Sequence, residues 1–300
     1  MSGPRVAWIG LGNIGRVRPP SISNPKPRTN SQLTKETQGM SLNIANKGPQ
    51  AGPIILYNRT VARATAHAET LGSKAVVATT LTEAVAPSDL IFTCVGDDAA
   101  LDSIVSAILA DSALPQDLSG KTFVDCSTVH PDTSRRTEEA FSARGAGFVA
   151  CPVFGAPNMA DAGQLIVVPA GKREAIRKVE GFFDGVVAKK TIDLAGGSGA
   201  DVDVGKASML KVLGNTFILN TVGVLAESLV AAEASGLGVG PLKEWLGLFA
   251  PGPFANYAER MTSGDYYQRE EPLFAVDLAR KDLRHAQGIA QEGGDADAQC

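Results

Sequence analysis

Three glycines near the start of the chain, Gly10, Gly12 and Gly15, are spaced G-x-G-x-x-G directly after the apolar run Arg5–Gly10. Those residues at that spacing suit one task, the seating of a dinucleotide's pyrophosphate. The first permits a tight turn and the second lets backbone approach the phosphates. The third lets a helix pack close to a strand, with the helix N-terminus aimed at the negative charge. Alone the pattern is weak; its place between a first strand and a helix gives it weight.

A residue that reads the ribose belongs about 20 positions later, at the end of the second strand. Here that end is Tyr57-Asn58-Arg59-Thr60, and Asn58 lies 43 residues after Gly15. Removal of the 22 residues Val17–Gln38 restores a spacing of 21. The rejoined sequence reads GLGNIGRGMSLNIANKGP, with Ile14, Met40, Ile44 and Ala45 on one helical face. Residues 17–38 are therefore read as an insertion into the phosphate-binding helix. The stretch carries Pro19, Pro20, Pro25 and Pro27 among many Ser, Thr, Asn and Lys residues, a composition expected to stay unfolded and not to form helix. A retained intron whose length is a multiple of three accounts for it, with a natural loop extension as the alternative. In either case it disturbs the helix beside the phosphate loop.

The second strand ends in Asn58, Arg59 and Thr60, with no carboxylate. An Asp or Glu there would accept from a ribose 2′-hydroxyl and repel a 2′-phosphate, whereas a guanidinium pairs with phosphate. NADP is therefore expected in preference to NAD. The plainer alternative is that Arg59 caps a surface turn.

The elements that must hold such a site are legible as short apolar runs. Arg5–Gly10, Ile54–Arg59, Ala75–Thr79, Asp89–Val95, Lys121–Ser127 and Gly147–Val153 read as strands, most of them separated by amphipathic helical segments. Near-continuous apolar strands alternating with helices predict a parallel sheet covered on both faces. QLIVVPAG followed by KREAIRKVEGFFDGV reads as one more strand and helix. After GGSGADVDVG the texture changes to a long apolar helix from Lys206 to about Gly236, with no convincing strand beyond it. The expected fold is α/β: an N-terminal Rossmann domain over residues 1–194, a doubly wound, mostly parallel sheet, then an all-helical domain over residues 195–300. The long helix is apolar on most faces and is expected to be buried, against the first domain or a second subunit.

Composition narrows the function. The 300 residues are 44% hydrophobic and 20% charged, with a net charge of −4, ordinary for a globular enzyme and unsuited to nucleic acid or an anionic membrane. No apolar run is expected to reach the roughly 20 residues of a membrane span. MSGPRVAWIG enters a strand almost at once, so no signal or transit peptide is expected, and a cytoplasmic location is the default. Cys94, Cys126, Cys151 and Cys300 form no C-x-x-C pair and read as small core residues in a reducing compartment. His67, His130 and His285 lie far apart, and no metal site is expected.

Six motifs, GLGNIG, YNRT, VDCSTVHP (Val124–Pro131), CPVFGAPNMADAGQLIVVPAG (Cys151–Gly171), GKASMLKVLGN (Gly205–Asn215) and FAVDLARKDL (Phe274–Leu283), occur in this order. Together they resemble the β-hydroxyacid dehydrogenases, among them 3-hydroxyisobutyrate dehydrogenase, tartronate semialdehyde reductase and, more distantly, 6-phosphogluconate dehydrogenase. The resemblance implies that Lys211 is the catalytic lysine and Asn215 its companion. It implies that Ser127 and Thr128 lie where nicotinamide and substrate meet, and that Val153–Ala156 forms the substrate-carboxylate loop through Phe154, Gly155 and Ala156. It sets Leu11, Asn13 and Ile14 of the glycine turn, with Val95, against the cofactor, and brings Lys281 to it from the helical domain. It also implies a homodimer or homotetramer joined through that domain.

Oxidation of an alcohol removes a hydride from carbon, which the nicotinamide takes, and a proton from oxygen, which a side chain must take. Lys211 can do so if its pKa falls from about 10.4 toward about 7–8; an apolar helix disfavours its ammonium form. Asn215, four residues on, and Ser208, three before, share its face. Without the resemblance, Lys211 reads more simply as a lysine whose stem lies along apolar surface with its amine in water. Ser127 and the amides near Gly155 can supply donors to a hydroxyacid carboxylate. Here the sequence departs from the family: Phe154-Gly155-Ala156 stands for Ser-Gly-Gly, so a bulky ring replaces a hydroxyl donor. A larger or less polar substrate, or an aldehyde or imine reduced by NADPH, becomes a second reading. Asp97 and Asp98 read as helix caps. The chain stops where the family continues through another helix, so a truncated helical domain is expected, and with the insertion it could leave a catalytically impaired dinucleotide-binding module.

Overall fold

A computed structural model of the chain describes residues 3–11, 32–195, 202–268 and 274–293, and the side chains of the first helix from Gln38 onward. The first strand, β1 (Val6–Ile9), is followed by α1 (Gln32–Lys47), β2 (Ile54–Tyr57), α2 (Val61–Leu71), β3 (Ala75–Ala78), α3 (Leu81–Val85), β4 (Leu90–Thr93) and α4 (Asp98–Ala110). Then come β5 (Thr122–Asp125), α5 (Pro131–Ser142), β6 (Gly147–Ala150), β7 (Val153–Phe154), α6 (Pro157–Asp161), β8 (Leu165–Val167), β9 (Ala170–Gly171), α7 (Arg173–Val179) and β10 (Ala188–Thr191). The rest is helical: α8 (Gly205–Ala234), α9 (Val239–Phe249), α10 (Pro253–Thr262), α11 (Asp265–Gln268) and α12 (Val276–Glu292).

The main sheet runs β3-β2-β1-β4-β5-β6-β9. All its pairs are parallel except β6 with β9. Its first six strands have the Rossmann order, with the direction of winding reversing between β1 and β4. Alternate residues of β1 feed different layers. Trp8 packs on one face in a cluster with Met40, Ile44 and Phe182, and stacks on Phe92 at 5.8 Å between ring centroids. Ala7 and Ile9 join Ile108, Phe123, Phe141 and Phe148 on the other. Both faces are thus covered by helices, as continuous apolar strands require.

Three local expectations need correction, and a fourth feature was not anticipated. First, α1 begins at Gln32, so Gln32–Gln38, the end of the stretch expected to be unfolded, is helical. The four prolines all precede it, and nothing after Gln32 forbids an α-helix; residues 17–31 lie outside the described residues. Second, Gly147–Val153 is not one strand. β6 stops at Ala150, and β7 joins a second sheet of order β10-β8-β7. Pro152 lies at the break and has no N–H for a ladder; its carbonyl accepts from the Val168 amide at 3.0 Å. Third, QLIVVPAG divides at Val168-Pro169 into β8 and β9, which belong to different sheets. Fourth, β10, Ala-Lys-Lys-Thr, has no apolar signal that sequence reading could use.

The described residues form two compact units that divide within α8, after Val212. In the second unit Leu225, Leu229, Leu246 and Ala258 make a small core of α8, α9 and α10. The expectation that the long helix is buried fails for much of its length in the single chain. Leu213, Phe217, Val224 and Val230 are all exposed, Val230 to 69%. A core of four residues is too small to cover a helix apolar on every side. By length and composition α8 is also long and apolar enough to cross a membrane, with a mean hydropathy of 1.5 over its most apolar 18 residues, contrary to the expectation that no segment is.

Candidate active site

The glycine turn is fixed from both neighbouring strands. Gly10 has φ +96°, and its amide donates to the Tyr57 carbonyl on β2 at 2.9 Å. A Cβ there would lie 2.3 Å from the Cys94 carbonyl oxygen beyond β4, so only glycine fits. The Leu11 amide donates to Asn58 Oδ1 at 3.0 Å, while Asn58 Nδ2 donates to the Thr60 carbonyl at 2.9 Å. The buried Asn58 side chain is thereby committed to holding the turn. Arg59 and Thr60 beside it are exposed. Gly12, Asn13, Ile14 and Gly15 lie outside the described residues. A close-approach glycine after the first strand, with an exposed guanidinium after the second, fits a dinucleotide.

The ends of β4 and β5 are tied by one hydroxyl. Ser127 Oγ accepts from the Val95 amide at 2.9 Å and donates to Asp125 Oδ1 at 2.6 Å. Both Ser127 and Asp125 are buried. The Ser127 proton is therefore already given to a carboxylate, and in this arrangement it cannot also be given to a substrate. Thr128 follows, half-buried. Asp97 caps α4, accepting from the Ala100 amide at 2.9 Å. Asp98 reaches across to accept from the His130 amide and Thr133 Oγ1, at 2.8 and 2.7 Å. Asp98 is thus more than a cap: it ties the start of α4 to the start of α5.

The loop expected to bind substrate lies between β7 and α6. Phe154 is half-buried at the end of β7. Gly155 has φ +147°, and a Cβ on it would fall 2.5 Å from Leu165 Cδ2, so the turn requires glycine. Ala156 precedes the first residue of α6. That short helix is held by α1: Gly39 allows contact so close that a Cβ would lie 2.7 Å from the Asp161 amide nitrogen. One turn on, Asn43 Nδ2 donates to the Ala160 carbonyl at 2.8 Å. The helix interrupted in sequence thus supports the Phe154–Ala156 loop.

Lys211 stands over that loop. Its Nζ is 4.5 Å from the centroid of the Phe154 ring, within cation–π range. Both residues belong to the first unit. Two residues of α5 that sequence reading missed fasten the start of α8. Ser134 Oγ and Ser208 Oγ, both buried, are 2.7 Å apart. Arg135 grips Asp203, and the guanidinium holds that carboxyl below the usual carboxylate range. The available signal is the Asp two residues ahead of Gly205, a common N-cap arrangement.

In the second unit, Asn215 Nδ2 donates to Asp282 Oδ2 at 2.6 Å. Asp282, on α12, is almost wholly buried, and its Oδ1 lies 3.2 Å from Lys281 Nζ. Asn215 and Lys281 are thus brought to one carboxylate. Asp282 was not among the expected residues, although an acid next to Lys281 in RKDL is a signal for it: a buried lysine needs an anion.

Residues 37–196 match the NAD-binding domain of 6-phosphogluconate dehydrogenase. Over 256 residues the chain is 33% identical to the NADH-dependent oxidoreductase ucdB of Aspergillus ustus, covering 85% of this chain and 82% of that one. Over 289 residues it is 28% identical to glyoxylate/succinic semialdehyde reductase 1 of Arabidopsis thaliana, covering 96% and 86% of the two chains. The 3-hydroxyisobutyrate dehydrogenase of Mycobacterium tuberculosis with L-serine has the same fold. Its TM-score is 0.73 at 20% identity, over 99% of this chain and 89% of that one.

Proposed function

Because the chain belongs to the β-hydroxyacid dehydrogenase family of NAD(P)-binding oxidoreductases, we propose that it interconverts an alcohol and its carbonyl with NADP, and that Lys211 moves the proton. The observation that carries this reading is the Lys211 amine 4.5 Å from the centroid of the Phe154 ring, over the loop between β7 and α6. An amine on the outer surface of α8 would have no such neighbour.

The cofactor, when bound, gives or takes the hydride. Gly10, Leu11 and Val95 would lie against it, with Thr60 and Thr128 beside it and Arg59 at a 2′-phosphate; the family resemblance adds Lys281. In the reductive direction the Lys211 ammonium gives a proton to the carbonyl oxygen as charge grows there; in the oxidative direction the neutral amine takes the hydroxyl proton. Asn215, one helical turn on, holds the reacting oxygen or the amine in line, and its own amide is oriented by Asp282. NADP is preferred to NAD on the charge of Arg59, although a relative's name specifies NADH.

Phe154 favours reduction as the second reading. A ring stands where a carboxylate donor is expected, and the Ser127 proton is already spent on Asp125. The ring lies against the amine that would give the proton in reduction. A carbonyl or imine bearing an apolar substituent then suits the loop better than a small hydroxyacid. The exposed apolar side chains of α8, with Trp245 and Phe249 stacked on α9 at 4.7 Å, support a homodimer or homotetramer.

Initial rates separate the two readings. NADPH would be tested with glyoxylate, succinic semialdehyde, cyclohexanone, and cyclohexanone plus allylamine; NADP⁺ would be tested with 3-hydroxyisobutyrate. Faster turnover of cyclohexanone, with or without the amine, is expected from the Phe154 loop. Turnover of 3-hydroxyisobutyrate alone would return the assignment to the hydroxyacid reading, and no turnover of any compound would contradict both.

A further inference from the structure

We infer that Arg135 is a positioning residue for Lys211, acting through Asp203 on the first turn of α8. The inference rests on the reading of Lys211 as the proton donor and acceptor. Arg135 Nε and one terminal nitrogen donate to the two oxygens of Asp203, each at 2.9 Å. This two-pronged pairing fixes orientation as well as distance. Asp203 Oδ1 also accepts from the Gly205 amide at 2.9 Å, and the Asp203 carbonyl accepts from the Lys206 amide at 3.2 Å. One carboxylate therefore joins the guanidinium to the opening turn of the helix. The approach is close: a Cβ on Gly205 would lie 2.9 Å from Arg135 Cζ.

A second fixing point lies further along. Ser208 meets Ser134, the residue beside Arg135, at 2.7 Å. A helix held at Asp203 and at Ser208 from one neighbouring helix can neither slide nor rotate freely. Lys211 is the next residue on the Ser208 face. The other end of the linkage is equally constrained. α5 begins just after Ser127 and Thr128, and Asp98 holds its first turn. Arg135 thus carries the position of the Ser127–Thr128 segment to the helix that bears the amine. The pair is itself partly exposed, at 40% and 35% of the two side chains, so it adds little to stability. Its geometry is what the fold uses.

The test compares Arg135→Ala, Arg135→Lys and Lys211→Met in the full chain, with NADPH and whichever of the carbonyl compounds named above is reduced fastest. Arg135→Ala is expected to lower kcat about 10- to 100-fold, the scale of a misplaced catalytic group. Carbonyl KM, NADPH affinity and melting temperature should stay near wild type. The isotope effect on kcat with 4-deuterated NADPH should rise, because a misplaced amine slows the chemical step. Added guanidinium ion should restore part of the rate, and Arg135→Lys should fall between. Asp203→Asn, which keeps a capping oxygen, should show the same signature more weakly and serves if Arg135→Ala does not fold. An unimpaired Arg135→Ala beside an inactive Lys211→Met would overturn the inference alone. So would a loss proportional to unfolded protein, with no change in isotope effect and no rescue. An active Lys211→Met would overturn the function of Lys211 and this inference with it.

Discussion

The Lys211 amine lies over the face of the Phe154 ring, 4.5 Å from its centroid. The contact joins the residue with the clearest chemistry to the one that departs furthest from the family's pattern. On the proposed function, the ring borders the amine that moves the proton and occupies space that a substrate carboxylate would need.

Phe154→Ser should convert the loop from apolar to polar. Reduction of cyclohexanone is expected to lose about tenfold in kcat/KM, the worth of a modest apolar contact. Oxidation of 3-hydroxyisobutyrate should rise from its wild-type level. The check is the ratio of the two kcat/KM values; an unchanged ratio would remove Phe154 from substrate choice.

Arg59 is exposed at the end of β2, and Asn58 beside it is committed to the glycine turn. Arg59→Ala should therefore weaken NADPH by about 10- to 100-fold, as expected for the loss of a charge-assisted bond, and leave NADH nearly unchanged. Fluorescence titration with both nucleotides reads this directly. Equal losses for the two would mean that Arg59 does not read the 2′-phosphate.

His67 gives the fold a dependence on pH. Burial on α2 lowers its pKa from 6.5 to about 4, and its Nε2 lies 2.8 Å from Ser41 Oγ on α1. The unfolded chain thus binds a proton between those values that the folded chain refuses. The stabilising contribution is complete above about pH 6.5 and is lost as pH falls toward 4, up to about 3 kcal/mol. Urea unfolding across that range should show the slope, and His67→Gln should flatten it. A variant with the wild-type slope would place the acid sensitivity elsewhere.

Much of the first sheet is legible in the sequence because parallel strands buried on both faces must be apolar throughout, as Val6–Ile9 and Leu90–Thr93 are. The glycine turn is legible because only glycine tolerates the approach of Gly10 to Cys94. Less accessible were the places where tertiary context outweighs local pattern. β10 is half lysine yet pairs with β8, and Pro152 and Pro169 divide largely apolar runs. Lys211 is marked by motif, but its neighbour Phe154 comes from a strand 57 residues earlier, a distance no spacing rule spans. Ser134 and Arg135 were silent for a related reason. Each works through a partner at the start of α8, and nothing at its own position distinguishes it from a solvated polar residue.

The most direct measurement is single-turnover hydride transfer, followed by the loss of NADPH absorbance in stopped flow, for wild type and Lys211→Met. Proton transfer by Lys211 predicts that NADPH still binds and that the transfer rate falls about 10²- to 10⁴-fold, the usual worth of a positioned acid or base. Transfer at the wild-type rate in Lys211→Met, with NADPH bound, would contradict it.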